Sequence, residues 1–161
     1  MNGWEISPIV TLHSGLPINI QTGADDSDDS YTSDRPNLVP GQKPTLNPHR
    51  SRAQVAAEWF NTAASVRNEP GAGIGPGRSD GDVGRNFLTA PGYRDVDLGV
   101  YRNIRFNKGI VLQIRGKAKN VFNLVSLAAP TATVVSPSDG KITSSVANSN
   151  RQIQLGARLT F

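Results

Sequence analysis

The sequence predicts an all-β chain of antiparallel strands, of the type that crosses a membrane as part of a barrel. Three observations predict it: four stretches of period-two alternation, one tight turn set between two long connections, and a last strand that alternates to the final residue. Such alternation marks a strand with two unlike faces.

The first strand, near 3–14, puts Trp4, Ile6, Val10 and Leu12 on one face and Glu5, Ser7, Thr11 and His13 on the other. Pro8 interrupts it, because a proline cannot donate to a ladder. The second, near 94–106, sets Val96, Leu98, Val100, Ile104 and Phe106 against Asp95, Asp97, Tyr101, Asn103 and Arg105, with Arg102 as its one exception. The third, near 110–122, sets Ile110, Leu112, Ile114 and Ala118 against Gln113, Arg115, Lys117 and Lys119. The fourth, near 151–161, sets Ile153, Leu155, Ala157, Leu159 and Phe161 against Gln152, Gln154, Arg158 and Thr160. Each spans roughly ten residues, the length a tilted strand needs to cross the hydrocarbon layer.

The second and third strands are joined by Asn107-Lys108-Gly109, where glycine supplies the positive φ of a tight turn. The connections 21–93 and 124–150 are long and rich in Gly, Pro, Asp, Asn and Ser. Loops of that size are unusual inside a compact soluble domain and ordinary on the extracellular side of a barrel. Within the longer one, Arg52 to Val66 reads as a short helix, with Val55, Ala56, Trp59 and Phe60 at helical spacing and Trp59 and Phe60 as its anchor. No regular element survives the glycine-rich run Gly71 to Gly77 that follows.

Composition narrows the function classes. At 161 residues and 37% apolar content the chain is one domain and not disordered throughout, yet 6% aromatic is thin for a dense soluble core. Without cysteine there are neither disulfides nor thiolate metal sites. No window approaches 18 apolar residues, so no transmembrane helix is expected. Met1 to Glu5 lacks the basic start and apolar run of a signal peptide, which places any export signal on a longer parent chain. The basic residues from Arg94 to Lys119 alternate with apolar ones and lack aromatic stacking platforms, so nucleic-acid binding is not expected.

Candidate chemistry is sparse. The acidic knot Asp25, Asp26, Asp28 and Asp29 lacks the glycine and distal glutamate of a calcium loop and reads as a solvated turn. His13 and His49 are far apart, with no carboxylate at ligand spacing, so no metal site is expected. The glycine-rich run has no Lys-Ser/Thr after it, which argues against a phosphate cradle. No Ser-His-Asp spacing stands out, so neither a catalytic residue nor a cofactor site is expected, and the chain reads as no enzyme.

The end of the chain carries a more specific pattern. Gln154, Gly156, Leu159 and Phe161 match the signal by which the outer-membrane barrel-assembly machinery recognises its clients: a polar residue, glycine two later, hydrophobic residues five and seven later. An apolar strand edge can join that machinery by β-augmentation. More widely, the sequence resembles the C-terminal part of TonB-dependent receptors, of the Oar-like type that carries a carboxypeptidase-regulatory-like domain in front. The resemblance rests on Gly3-Trp4-Glu5-Ile6-Ser7, Ser14-Gly15-Leu16-Pro17, Asp34-Arg35-Pro36-Asn37, Trp59-Phe60-Asn61-Thr62-Ala63, Gly84-Arg85-Asn86, Pro91 to Leu98, Asn120-Val121-Phe122-Asn123 and Arg151 to Phe161.

It implies a barrel of about 22 strands with a plug, of which residues 1–161 form a partial C-terminal segment, Met1 then marking a truncation. It also implies a place in the outer membrane of a Gram-negative bacterium and energised uptake of an unidentified ligand. The partners would be outer-membrane lipid, the assembly machinery through the last strand, and TonB only through the missing N-terminal part. Pro8, Lys117 and Lys119 depart from the family pattern and imply disturbed strand pairing there. The competing expectation is a soluble all-β ligand- or carbohydrate-binding module, with the long loop as its binding surface.

Overall fold

The computed structural model describes residues 3–47, 49–68 and 80–161. In chain order the strands are β1 (Trp4–His13), β2 (Pro17–Ile18), β3 (Asn37–Leu38), β4 (Ser65–Val66), β5 (Leu88–Thr89), β6 (Tyr93–Arg105), β7 (Val111–Lys119) and β8 (Gln152–Thr160). One short helix, α1 (Arg52–Ala57), lies between β3 and β4. The chain divides into two compact units: a sheet unit, residues 1–14, 92–126 and 145–161, and a loop unit, residues 15–91 and 127–144.

The sheet unit is one antiparallel sheet in the order β1-β6-β7-β8. The register is unbroken. Trp4 faces Arg102 and His13 faces Tyr93; Leu98 faces Ala118; Lys119 faces Gln152. The disturbed pairing expected at Pro8, Lys117 and Lys119 is therefore corrected: Pro8 sits opposite Leu98, and Lys117 opposite both Gly99 and Gln154. The reason at Pro8 is geometric. The Asn103 amide donates to the Gly3 carbonyl, which makes the odd positions of β1 the hydrogen-bonded ones. Pro8, at an even position, turns its missing donor away from β6. Its lack of an N–H costs the β1–β6 ladder nothing.

The turn between β6 and β7 is a single 3-10 turn, Asn107–Gly109, with Gly109 at φ 81 as the sequence requires. β7 ends at Lys119, three residues earlier than the alternation suggests. Asn120 enters the left-handed region at φ 46, and its buried side chain donates to the Ser149 carbonyl while accepting from the Leu124 amide. Asn123, at φ 55, then accepts from the Arg151 amide. The Asn120-Val121-Phe122-Asn123 motif thus stops one strand and positions the start of the next.

The loop unit is more structured than its composition suggests. β2 pairs with β5 and β3 with β4, and Gln21 bridges to Thr133 in parallel. Ile20, Phe60, Val83 and Leu88 form a buried cluster, with Ile18, Leu38, Trp59, Phe87, Ala132 and Val134 packed around it. Polar groups are buried beside it and paired. Asp34 accepts from the amides of Asp26 and Ser27; Asn37 donates to Asn68; Arg67 forms an ion pair with the buried Asp26.

The helix expected over Arg52 to Val66 is shorter, with a capping box between Ser51 and Gln54 at its start. Trp59 and Phe60 lie beyond it, and the chain continues through a 3-10 turn at Thr62–Ala64 into β4. They still anchor the segment: Phe60 is 1% exposed, and the Trp59 indole N–H donates to the Thr89 carbonyl at 2.8 Å. The run Gly71 to Gly77 lies outside the described residues.

Candidate functional site

Alternation within each strand and register between strands combine to make a sheet with two chemically opposite faces. One face carries Ile6, Val10 and Leu12 of β1, Val96, Leu98 and Val100 of β6, Leu112 and Ile114 of β7, and Ile153, Leu155 and Leu159 of β8. The other carries Glu5, Ser7 and Thr11, Asp95, Asp97 and Asn103, Gln113, Arg115 and Lys117, and Gln154 and Arg158. The four apolar sets read separately in the sequence meet on one surface.

That apolar surface is uncovered. Ile6 is 68% exposed, Leu12 66% and Leu155 85%, values that belong to an outer wall and not to half of a soluble core. Arg102, the exception in the alternation, lies on it directly opposite Trp4, its guanidinium 5.0 Å from the centre of the indole ring.

On the polar face two glycines make room for large neighbours. The Tyr101 ring lies over Gly99, its Cε2 only 2.9 Å from where a Cβ would sit. Arg115 lies over Gly156 in the same manner, with Nε 2.8 Å from the corresponding point. Covering a strand glycine with an aromatic ring shields backbone that would otherwise stand bare. Arg115, Lys117 and Arg158 crowd β7 and β8, whereas Glu5, Asp95 and Asp97 lie on β1 and β6, so the face is basic on one side and acidic on the other. His13 stacks on Tyr93 across the β1–β6 pair, with ring centres 5.2 Å apart.

A family model for an outer membrane beta barrel domain matches residues 1–154. The chain belongs to the outer membrane beta barrel domain family. Comparison with curated proteins and with solved structures found no match. This barrel domain is an outer-membrane protein, its strands are those of a transmembrane wall, and the two-faced sheet acquires a meaning: lipid on the apolar side, water on the polar side. No helix among its described residues is long and apolar enough to cross a membrane, and in a barrel the strands do the crossing.

The residues of the terminal pattern fall on both faces of β8. Gln154 and Gly156 are on the polar face, opposite Lys117 and Arg115; Leu159 and Phe161 are on the apolar face, with Phe161 97% exposed. Gly156, Leu159 and Phe161 lie beyond the stretch that the family model matches. Gly156 also has a purely structural reason, the overlying Arg115.

In the loop unit of the barrel domain, a cavity of about 340 Å³ is lined by Asn19, Gln21, Tyr31, Arg35, Asp80 and Arg85 among others. Arg35 and Asp80 form an ion pair across it at 3.2 Å, and the Asp80 carboxyl is held below its usual range, first by the hydrogen bond from the Arg35 backbone amide. The acidic knot is only partly the solvated turn expected: Asp25 accepts from the amides of Asp29 and Ser30, and Asp29 from that of Tyr31, but Asp26 is buried and paired with Arg67. Among the described residues no three His, Asp or Glu side chains gather at metal-binding distance. The loop-unit core and the Trp4–Arg102 pair were not legible in the sequence. The first has no periodicity; the second needs the register.

Proposed function

We propose that this barrel domain is the C-terminal part of the wall of a TonB-dependent receptor, which takes up a scarce ligand through the outer membrane with energy coupled from the inner membrane. One observation supports it most: an unbroken four-stranded register with an uncovered apolar face and a charged opposite face, open at β1 and β8. Unsatisfied edge groups in lipid cost several kcal/mol each, so both edges need further strands. The serial motifs shared with Oar-like receptors supply the finer family reading.

In this reading the chain catalyses no reaction and binds no nucleic acid. Its polar face lines the lumen, its short Asn107–Gly109 turn is periplasmic, and its loop unit is extracellular, where the polar cavity would meet incoming ligand. β8 hands the chain to the assembly machinery through Gln154, Gly156, Leu159 and Phe161. TonB would contact only the parent chain's N-terminal part.

An immunoblot of fractionated cells, with an antibody to the Arg151 to Phe161 peptide, tests this. The expected result is an outer-membrane band far larger than 17.2 kDa. A 17.2 kDa band in the soluble fraction would overturn the reading.

A further inference from the structure

The apolar face carries two charges among the described residues, Arg94 and Arg102, both on β6. They are separated by Val96, Leu98 and Val100 on that face. Eight residue steps of about 3.3 Å, on a strand tilted by roughly 40°, span about 20 Å along the membrane normal. Outward-reaching arginine side chains extend this toward the roughly 25 Å apolar band of such barrels. The two arginines therefore bracket the middle of the apolar face, which Ile104, Leu112 and Leu159 continue past Arg102 toward the turn, so the Arg102 head group reaches the interface through its extended side chain.

They are not equivalent. Arg102 lies toward the short turn, with its guanidinium braced over Trp4, and no Asp or Glu side chain shares its face among the described residues. Farther along the same face toward the turn come Phe106 and Phe161, 52% and 97% exposed, at the end of the wall where aromatic residues mark the interface. A guanidinium in this setting needs an anion, since a charge at the rim of the hydrocarbon is costly without one. Beside the ring contact its N–H fork meets no hydrogen-bond acceptor among the described residues, and such a fork matches the geometry of phosphate.

We propose that Arg102, braced by Trp4, holds the phosphate of an anionic phospholipid of the periplasmic leaflet against the outer wall of the barrel. The leaflet, but not the phosphate site, rests on the orientation given under Proposed function.

The test is native mass spectrometry of the full receptor titrated with phosphatidylglycerol or phosphatidylethanolamine. The receptor retains phosphatidylglycerol preferentially. Arg102→Gln weakens that retention by about tenfold, the size expected for a charge-assisted contact, and Arg102→Lys restores part of it. Arg105→Gln, on the lumen face, leaves it unchanged. Retention by Arg102→Gln equal to that of the unaltered receptor, or an equal loss in Arg105→Gln, would overturn the site. Heat-dependent mobility on gels confirms that each variant is a folded barrel. An impermeant maleimide on Asn107→Cys, in a chain with no other cysteine in this domain, tests the leaflet separately. Labelling only after permeabilisation supports the periplasmic side, and labelling of intact cells overturns the leaflet while leaving the phosphate result to stand by itself.

Discussion

Gln21 and Thr133 belong to different connections of the chain and bridge in parallel, with the Gln21 amide donating to the Ala132 carbonyl at 3.0 Å and the Val134 amide donating to the Gln21 carbonyl at 2.9 Å. The two long loops are thus one folded body. Two residues on, Gly23 sits at φ 77, and a Cβ there would lie 2.7 Å from Cγ2 of Val135. Gly23→Val is expected to part the bridge. Limited proteolysis of the outer-membrane protein should then cut within 124–150 under conditions where the unaltered protein resists, and equal resistance would sink the single-body reading.

Phe60 holds the centre of that body, packed with Ile20, Val83 and Leu88. Phe60→Ala should cost about 3–5 kcal/mol of loop-unit stability, by lost burial and the cavity left behind. Hydrogen exchange should show the loss in loop-unit amides, and unchanged protection there would contradict the central place of Phe60.

Leu98 stands midway between Arg94 and Arg102 on the lipid-facing side. Leu98→Arg should destabilise the folded barrel in bilayers by about 2–4 kcal/mol, as expected for a cation at mid-membrane. Asn103→Arg, on the lumen face, should change the folding free energy by far less. A reversed order would mean that the faces are exchanged.

Asp139 gives the loop unit a distinctive pH response. Burial raises its carboxyl above the ordinary value of 3.8, and the nearby backbone of Thr133 and Gly140 opposes the rise only in part. A raised folded value means that the contribution to stability is complete below the unfolded value and is lost as pH rises through the folded one. Comparing protease resistance of the loop unit for Asp139→Asn and the unaltered chain, from acid upward, should show the variant losing less. Identical pH profiles would contradict a raised value.

The sheet was legible because period two is a local signal: each strand announces its own faces, and any slip by one residue would turn an apolar set to the wrong face. The loop unit was opaque for the opposite reason. Ile20, Phe60, Val83 and Leu88 are scattered through turn-forming residues without period. The motifs singled out in the sequence made sense only in three dimensions: Asp34-Arg35-Pro36-Asn37 serves the polar interior through Asp34 and Asn37, and Trp59-Phe60-Asn61 joins a buried ring to an Asn61 cap on the Ala63 amide. Helical spacing misled at Trp59 and Phe60, because the same apolar clustering serves an irregular segment that folds inward.

Pro8 leaves a mark on whatever strand lies against β1 from the other side. Its nitrogen points to that seam with nothing to donate, midway along an edge whose neighbours, Ile6 and Val10, each offer an N–H. In mechanical terms that edge has a missing rung: a strand docking there would find one hydrogen bond fewer than β6 finds on the opposite side, and a seam so laced is the easier one to unzip.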